Sequence, residues 1–273
     1  MNNLTRGAIL EIAKRTVGDE IGGLTIKDVK LIEVNKRDGI KTGLQIEYES
    51  KNICPVIYGL EEFENELDVF EAIENVSDKV SEVGEEIDFN FADESKYKVR
   101  LVNKRVCEEN GYLADKAYIE LLNLAALPVY EFGNGQSIVL TKKVLEALNI
   151  SVKDWVSTAV ENTNLNCLNM AEVLGILGAP EIDECPMSVV STSELDYGPM
   201  LMLDNQMLED IHTEMGDFYI IPSSVHEVLV IPERLADPNT LNDMIGSVNA
   251  TCLSPEDYLS DSAYFYNGKL KIA

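Results

Sequence analysis

The sequence predicts an α+β fold with mixed, largely antiparallel sheets and helices packed against them. Strand-like and helical patterns alternate along the chain, but without the regular spacing of repeated β-α-β units. Short turn sequences join neighbouring strand-like runs, as Asp38-Gly39 does between Val29–Asn35 and Thr42–Tyr48, and such hairpins make strands antiparallel. Apolar residues form 45% of the chain, enough to bury a sizeable core.

The first third predicts two helices and a three-stranded region. Leu4–Thr16 carries apolar residues on one helical face, and Ile53–Tyr58 predicts an edge strand because it contains Pro55. Glu61–Val83 has an apolar residue at every third or fourth position, which predicts the longest helix of the chain, and Gly84 suits its C-terminal end.

A polar stretch at Glu85–Lys98 predicts a domain boundary. We expect an N-terminal α/β subdomain over residues 1–95, which contains the long acidic helix, and a C-terminal α+β domain over residues 96–273. Val99–Val106 predicts the first strand of the second domain.

The middle of the chain predicts a hairpin followed by short helices. Ala117–Phe132 and Ser137–Leu140 flank Gly133-Asn134-Gly135, which lacks the Lys and Ser/Thr of a phosphate-binding loop and therefore predicts a turn. Thr141 and Ser151 each precede a helical pattern and predict N-caps.

The C-terminal third predicts a β-β-α-β-β-α-β-β order. A helix runs from its cap Asp204 to Gly216, a second covers Leu241–Val248, and Ala263–Ile272 forms a hairpin. The remaining predicted strands are Met187–Thr192, Pro199–Leu203, Phe218–Ile221 and Val228–Ile231.

The charge balance restricts the possible partners. The chain contains 48 Asp and Glu against 22 Lys and Arg, a formal net charge of −26. Such a field repels phosphate backbones and anionic membranes, so we expect neither direct nucleic-acid binding nor a membrane partner, and a basic protein surface is the favoured partner.

The sequence favours a cytoplasmic protein. No apolar run is long enough to span a bilayer, and the N-terminus lacks the pattern of a secretory signal. The cysteines are odd in number and widely spaced, which is typical of free thiols in a reducing compartment. They are Cys54, Cys107, Cys167, Cys185 and Cys252.

The long helix carries the most concentrated negative charge. A solvated face of an amphipathic helix explains this pattern, and an acidic track that binds a basic partner or imitates DNA is the functional alternative. The candidate acidic face comprises Glu61, Glu64, Asp68, Glu71 and Asp78.

Residues 222–227 are the one place where nucleophile, base and acid side chains occur together. Ser223, Ser224, His226 and Glu227 are the candidate binding residues there. A hydrolase that uses Ser223 or Ser224 with His226 is the enzymatic alternative. Glu227 faces away from His226 in an extended chain, and no Gly-x-Ser-x-Gly elbow is present, so a turn between two core strands is the favoured interpretation.

We predict no metal site and no cofactor. The candidate ligands His212, His226, Cys185 and Cys252 lack the close spacing of Cys-x-x-Cys or His-x-x-x-His motifs.

Two C-terminal segments resemble a known family. Phe218–Pro232, which reads FYIIPSSVHEVLVIP, and Leu259–Tyr266, which reads LSDSAYFY, closely resemble motifs of a bacterial domain-of-unknown-function family, number 5688. Weaker similarity extends upstream over most of the chain. Ser191–Leu203 departs from the family pattern, since it carries Asp196 and Pro199 where a Thr-Asn pair and a Gly-Ala step are more usual. The resemblance implies a bacterial, intracellular protein and assigns no catalytic role.

Together these observations favour a non-catalytic binding protein for a basic protein partner. The hydrolase and the DNA mimic remain the alternatives.

Overall fold

The computed structural model describes residues 3–82, 90–133, 136–176 and 185–273. The chain divides into two compact units, Met1–Asn90 and Phe91–Ala273. Helices and antiparallel sheets occur in both units, which confirms the α+β fold class. The expected helix end at Gly84 and the expected turn at Asn134-Gly135 lie outside the described residues.

The first unit packs two helices against a four-stranded antiparallel sheet in the order β1-β2-β3-β4. The predicted hairpin at Asp38-Gly39 is confirmed, since Lys36 pairs with Gly39 at the end of β2 and β3. The short β4 lies at the sheet edge, as Pro55 predicts. The elements are α1 (Arg6–Lys14), β1 (Glu20–Ile21), β2 (Leu24–Lys36), β3 (Gly39–Tyr48), β4 (Val56–Ile57) and α2 (Glu66–Glu82).

The long helix α2 begins at Glu66, later than the predicted start at Glu61. A separate 3-10 turn occupies Leu60–Glu62. The carboxylate of Asp68 then accepts hydrogen bonds from two backbone amides just ahead of α2, at 2.7 and 3.0 Å, and so holds the chain outside the helix. The buried residues of α2 are Val69, Ile73, Ser77 and Val80. Leu67, one of the regularly spaced apolar residues of the predicted helix, is 60% exposed.

The second unit contains two antiparallel sheets that share one core. In the four-stranded sheet, β7 pairs with β5 on one side and with β6 and β8 on the other. The six-stranded sheet has the order β14-β13-β11-β12-β10-β9. The strands are β5 (Tyr97–Asn103), β6 (Ile119–Leu121), β7 (Leu124–Gly133), β8 (Gln136–Val139), β9 (Asn166–Asn169), β10 (Ser188–Ser191), β11 (Phe218–Ile221), β12 (Val228–Pro232), β13 (Tyr264–Tyr266) and β14 (Leu270–Ile272).

Helices of the second unit cover both faces of the six-stranded sheet. α5 and α7 pack into the core shared by the two sheets, whereas α8 covers a separate cluster around Tyr219 and Phe265. The helices are α3 (Lys104–Glu109), α4 (Lys142–Leu148), α5 (Val152–Asn162), α6 (Met170–Ile176), α7 (Asn205–Met215) and α8 (Pro238–Thr251). No helix in the described part of the chain is long and apolar enough to cross a bilayer.

Trp155 lies at the centre of the shared core. It is fully buried and stacks on Tyr97 with ring centroids 3.5 Å apart and an interplanar angle of 10°. Its indole Nε1 donates a hydrogen bond of 3.2 Å to the carbonyl of Lys98, so the one polar atom of the ring is satisfied. This contact joins α5 to β5.

The predicted helix starts at Thr141, Ser151 and Asp204 are confirmed. Each side chain accepts a hydrogen bond from the backbone amide three residues further on, at 3.0 to 3.3 Å. These N-caps satisfy amides that have no partner within the helix.

One predicted strand is wrong, and another is predicted too long. Pro199–Leu203 belongs to a 3-10 helix, Gly198–Leu203, because proline suits a first helical turn and has no amide for a sheet. Its residues are buried on several sides, so the apolar run resembles a core strand. Val99–Val106 is a strand only as far as Asn103, whose side chain caps α3 by accepting the amide of Val106.

Gly198 lies where β10, the 3-10 helix and the chain before β12 meet. A Cβ atom there would collide with the carbonyl oxygen of Val190 and would lie 2.7 Å from Glu227 Cα and 2.9 Å from the His226 carbonyl oxygen. All three are backbone atoms, which cannot move aside as a side chain can.

We therefore expect Gly198→Ala to lower the free energy of unfolding by about 2–3 kcal/mol. The matched control is Gly246→Ala in α8, where a Cβ meets no atom within 4 Å and alanine stabilises a helix by about 0.5–1 kcal/mol. Urea denaturation followed by circular dichroism measures both. Equal stability of the two variants would contradict the close approach at Gly198.

Candidate functional site

The bend between β11 and β12 contains the candidate residues predicted from the sequence. Ser224 is buried, and its Oγ accepts hydrogen bonds from the amides of His226 and Glu227 at 3.0 and 3.4 Å. Ser223 donates its hydroxyl proton to Glu227 Oε1 at 3.0 Å. Both serines therefore bond within the bend, as in a serine turn.

The imidazole of His226 lies between two carboxylates that come from distant parts of the chain. Nδ1 is 2.9 Å from Asp196 Oδ1, and Nε2 is 3.1 Å from Asp257 Oδ1. The ring is partly exposed, since 43% of its side-chain surface meets solvent. We call these three side chains the histidine clamp.

The geometry of the histidine clamp favours the imidazolium form. A neutral imidazole has one N–H donor, whereas two carboxylate acceptors need two donors, which only the protonated ring provides. The hydrogen bond to Asp196 raises the pKa of His226, partial burial opposes this, and Asp257 adds to the increase. Burial by itself raises the pKa of Asp196, but the bonds from His226 and the Tyr197 amide, with the charge of Arg100, lower it overall.

Backbone geometry directs Asp196 toward the ring. Its two neighbours, Leu195 and Tyr197, have left-handed φ values of 58° and 61°, a conformation that costs a non-glycine residue roughly 1–3 kcal/mol. Asp196 Oδ1 also accepts the Tyr197 amide at 2.8 Å. A strained loop is thus closed around one carboxylate, which holds that carboxylate in place.

Arg100 of β5 supplies the second cation near Asp196. Its guanidinium Nη2 lies 3.4 Å from Asp196 Oδ2, and the same group lies 5.5 Å from the ring centroid of Tyr197. Burial raises the pKa of Tyr197 to about 12 and also raises the pKa of Glu131. Arg100 Nε is buried without a hydrogen-bond partner among the described residues.

Backbone hydrogen bonds join the three segments that carry the side chains of the histidine clamp. The amide of Gly198 donates to the His226 carbonyl at 2.8 Å, and the amide of Val225 donates to the Asp257 carbonyl at 3.0 Å. The side chains of the clamp therefore reinforce a backbone junction between the loop after β10, the bend before β12 and the segment before β13.

The comparisons with known proteins identify the family. The model of the family of unknown function DUF5688 matches residues 10–268. This chain belongs to DUF5688. The comparisons with curated proteins and with solved structures find no match.

The clamp does not provide this DUF5688 protein with the serine–histidine pair of a hydrolase. Both ring nitrogens of His226 face carboxylates, and Ser223 and Ser224 bond elsewhere. A general base needs a ring nitrogen free to receive the nucleophile's proton. The three side chains lie at a backbone junction, and both ring nitrogens contact carboxylates of the chain itself.

The residues of the predicted acidic face differ in their roles. Glu61, Glu64, Glu71 and Asp78 are exposed. Asp68 is only partly exposed, because its carboxylate accepts the amides ahead of α2. Four of the five predicted carboxylates thus face solvent in the first unit.

The four residues considered as metal ligands lie in other environments. His212 Nε2 lies 2.8 Å from Asp217 Oδ1, while Cys185 is partly exposed and Cys252 exposed. Across the described ranges, the side chains of His, Cys, Asp and Glu form no group of three or more that could hold a metal ion.

Sequence reasoning did not identify Asp257 or Arg100 as partners of His226. Asp196 stood out only as a departure from the family pattern. The contacts span 30 residues to Asp196 and 31 to Asp257, and no periodicity of strand or helix links positions so far apart.

We expect Ser224→Ala to destabilise the second unit by about 1–3 kcal/mol, because two amides in a buried bend lose their acceptor. Ser223→Ala is the matched control, and we expect a change within about 0.5 kcal/mol because that side chain is partly exposed. Chemical denaturation measures both. Equal effects would show that the hydroxyl of Ser224 has no special structural role.

We expect the effect of His226→Gln on stability to depend on pH. The pKa of His226 is raised from 6.5 in the folded protein, so its stabilisation is complete below about pH 6.5 and disappears as pH rises through the higher folded value. Because the ring is 43% exposed and solvent screens its ion pairs, the variant is about 0.5–1 kcal/mol less stable at about pH 6, and the difference narrows toward about pH 9.

In the His226→Gln variant, the change at Asp196 adds no further pH dependence of stability between about pH 6 and about pH 9. The pKa of Asp196 is lowered from 3.8, so its stabilisation is present above that value and lost only as pH falls below it. Thermal midpoints from calorimetry measure the difference, with His212→Gln as control. A difference that stays constant across the range would show that the ring of His226 is not charged in the fold.

Proposed function

We propose that this DUF5688 protein is a non-catalytic binding protein for a basic protein partner in the bacterial cytoplasm. The observation that carries the proposal is a row of exposed carboxylates along α2. The row consists of Glu71, Glu74, Asp78 and Glu82.

The spacing of the row gives it an extended shape. Its members are three or four residues apart, and residues at that spacing lie on the same side of a helix. With a rise of about 1.5 Å per residue, the row extends for roughly 16 Å along the helix axis. Lys79 is the one Lys or Arg in α2, so the negative charge of the row is largely uncompensated within the helix.

An uncompensated row of this kind suits recognition of basic surfaces. Exposed pairs contribute little individually, typically about 0.2–1 kcal/mol, but a row of charges increases the rate of encounter and selects a partner of opposite sign. The same reasoning makes binding sensitive to salt, because the screening length is about 8 Å at physiological ionic strength.

Two further features support the proposal. The histidine clamp occupies both ring nitrogens of His226, so the side chain best suited to acid–base catalysis is committed to a structural contact. Cys54, Cys167, Cys185 and Cys252 are free thiols, which fits a reducing cytoplasm. The hydrolase and the DNA mimic stay alternatives from the sequence.

We expect neutralisation of the row to reduce partner retention. The variant Glu71→Gln/Glu74→Gln/Asp78→Asn/Glu82→Gln, when immobilised, should retain at least about tenfold less of a basic protein from the cytosol of the source cells at low salt than the wild-type protein does. Quantitative mass spectrometry of the salt eluate measures the retained proteins.

The matched control removes the same amount of charge from other exposed positions, by Glu11→Gln/Glu20→Gln/Glu233→Gln/Asp243→Asn. Retention by this control should equal that of the wild-type protein. If both variants retain the same proteins as the wild type, or lose them equally, the row on α2 is not the binding surface.

A further inference from the structure

A groove in the second unit combines an apolar floor with an acidic rim. It lies between the end of α5, β9 and α7 and has a volume of ≈ 620 Å³, which is within the range of about 300–1,000 Å³ typical of ligand sites. All of its residues are described, and all belong to Phe91–Ala273.

The floor of the groove is aliphatic. Val160 and Leu165 come from the end of α5 and the chain that follows it, and Met207 and Ile211 come from one face of α7. Val160, Leu165 and Met207 remain partly exposed, so a bound group would bury further apolar surface here.

The rim of the groove is negative throughout. Its charged residues are Glu161, Asp204, Asp210 and Glu214, and none of the residues that line it is Lys, Arg or His. Asp204 accepts the Met207 amide at 3.0 Å as the cap of α7, and Gln206 donates to Asp210 at 2.8 Å. These contacts are with uncharged donors. One cation lies beside the groove, since Lys98 Nζ donates a hydrogen bond of 3.3 Å to Thr163, which also lines it.

Cys167 gives the groove a reactive group of its own. It comes from β9, it lines the groove, and it is exposed, so a reagent reaches its thiol from solvent. A segment bound in the groove would therefore cover this thiol.

We propose that this groove binds a lysine- or arginine-bearing, otherwise apolar segment of a partner protein. The aliphatic stem of the basic side chain lies on the floor, and its charged end meets Asp210 and Glu214 at the rim. The inference rests on the proposed function and adds to it a site in the second unit with its own chemistry.

The combination of floor and rim favours a protein segment over other cations. A metal ion needs converging ligands, and the described residues provide no such group. A polyamine matches the rim but offers no branched apolar side chain for the floor. A basic segment with leucine or valine beside its lysines matches both, as a binding interface with an apolar centre and a charged edge does.

Protection of Cys167 provides a local test. The probe is a short fluorescein-labelled peptide in which leucine and lysine alternate, with two comparison peptides that carry glutamine for lysine or serine for leucine. Binding is measured by fluorescence anisotropy, and alkylation of Cys167 by N-ethylmaleimide is followed by peptide mapping. Cys54 and Cys252 are exposed thiols like Cys167, and they serve as internal references.

We expect the leucine–lysine peptide to slow alkylation of Cys167 alone, and each comparison peptide to bind about tenfold more weakly. Asp210→Asn/Glu214→Gln should weaken binding about tenfold and abolish the protection of Cys167. The control Glu11→Gln/Glu20→Gln removes the same charge from exposed positions outside the groove and the α2 row, and it should leave the protection unchanged. Met207→Gln, which makes the floor polar, should also weaken binding.

Several results would overturn the inference. Equal loss of binding in the groove variant and the control variant, with Cys167 unprotected, would mean that the peptide responds only to general charge. If the glutamine peptide protects Cys167 as well as the leucine–lysine peptide does, the acidic rim has no role in binding. If spermidine protects Cys167 equally well, the apolar floor has no role.

The experiments distinguish a failure of the groove inference from a failure of the proposed function. If the α2 row retains a cytosolic partner but no peptide protects Cys167, the groove inference is wrong and the proposed function stands. If Cys167 is protected while the α2 variant retains cytosolic proteins as the wild type does, the groove stands and the row on α2 does not.

Discussion

A carboxylate can leave water only where donors or positive charges replace its hydration, and this chain has few positive charges. Between residues 180 and 266, Arg234 is the one Lys or Arg. Asp196 is nevertheless partly buried, and its cations come from Arg100 in β5 and from His226 in the bend before β12. The fold brings these three residues together from separate parts of the second unit. Asp196 is thus partly buried at a place where two basic side chains from separate segments meet its carboxylate.

The carboxylates of the protein differ in whether a basic side chain neutralises them. Where the protein neutralises a carboxylate, as at Asp196, the result is a junction that joins three segments of the second unit. Where it does not, as along α2 and around the rim of the groove, the carboxylates remain at least partly exposed to solvent. His226 contacts two carboxylates of its own chain through its two ring nitrogens.

Local signals account for most of the correct predictions. Side-chain caps at Thr141, Ser151 and Asp204 involve residues three positions apart, and the hairpin at Asp38-Gly39 is set by turn chemistry. The errors arise where tertiary burial masks the local pattern. Pro199–Leu203 is buried on several sides and so lacks the periodicity that separates a helical turn from a strand.

The candidate site shows the same division between local and distant information. The sequence brings Ser224 and His226 together because they are neighbours, and the bend is indeed closed by Ser224. The partners of the imidazole, Asp196 and Asp257, enter only through the pairing of β10, β11, β12 and β13. That pairing depends on which strands share the core, and a residue pattern along the chain does not contain it.

The burial of Trp155 has a practical consequence for separating the two units. It is the one tryptophan of the chain, and it stacks on Tyr97 inside the core of Phe91–Ala273. Its intrinsic fluorescence therefore reports the packing of that unit alone, while melting of Met1–Asn90 leaves the indole signal unchanged as long as the units unfold independently. A scan that records indole emission beside a whole-chain signal thus resolves whether a substitution loosens one unit or both.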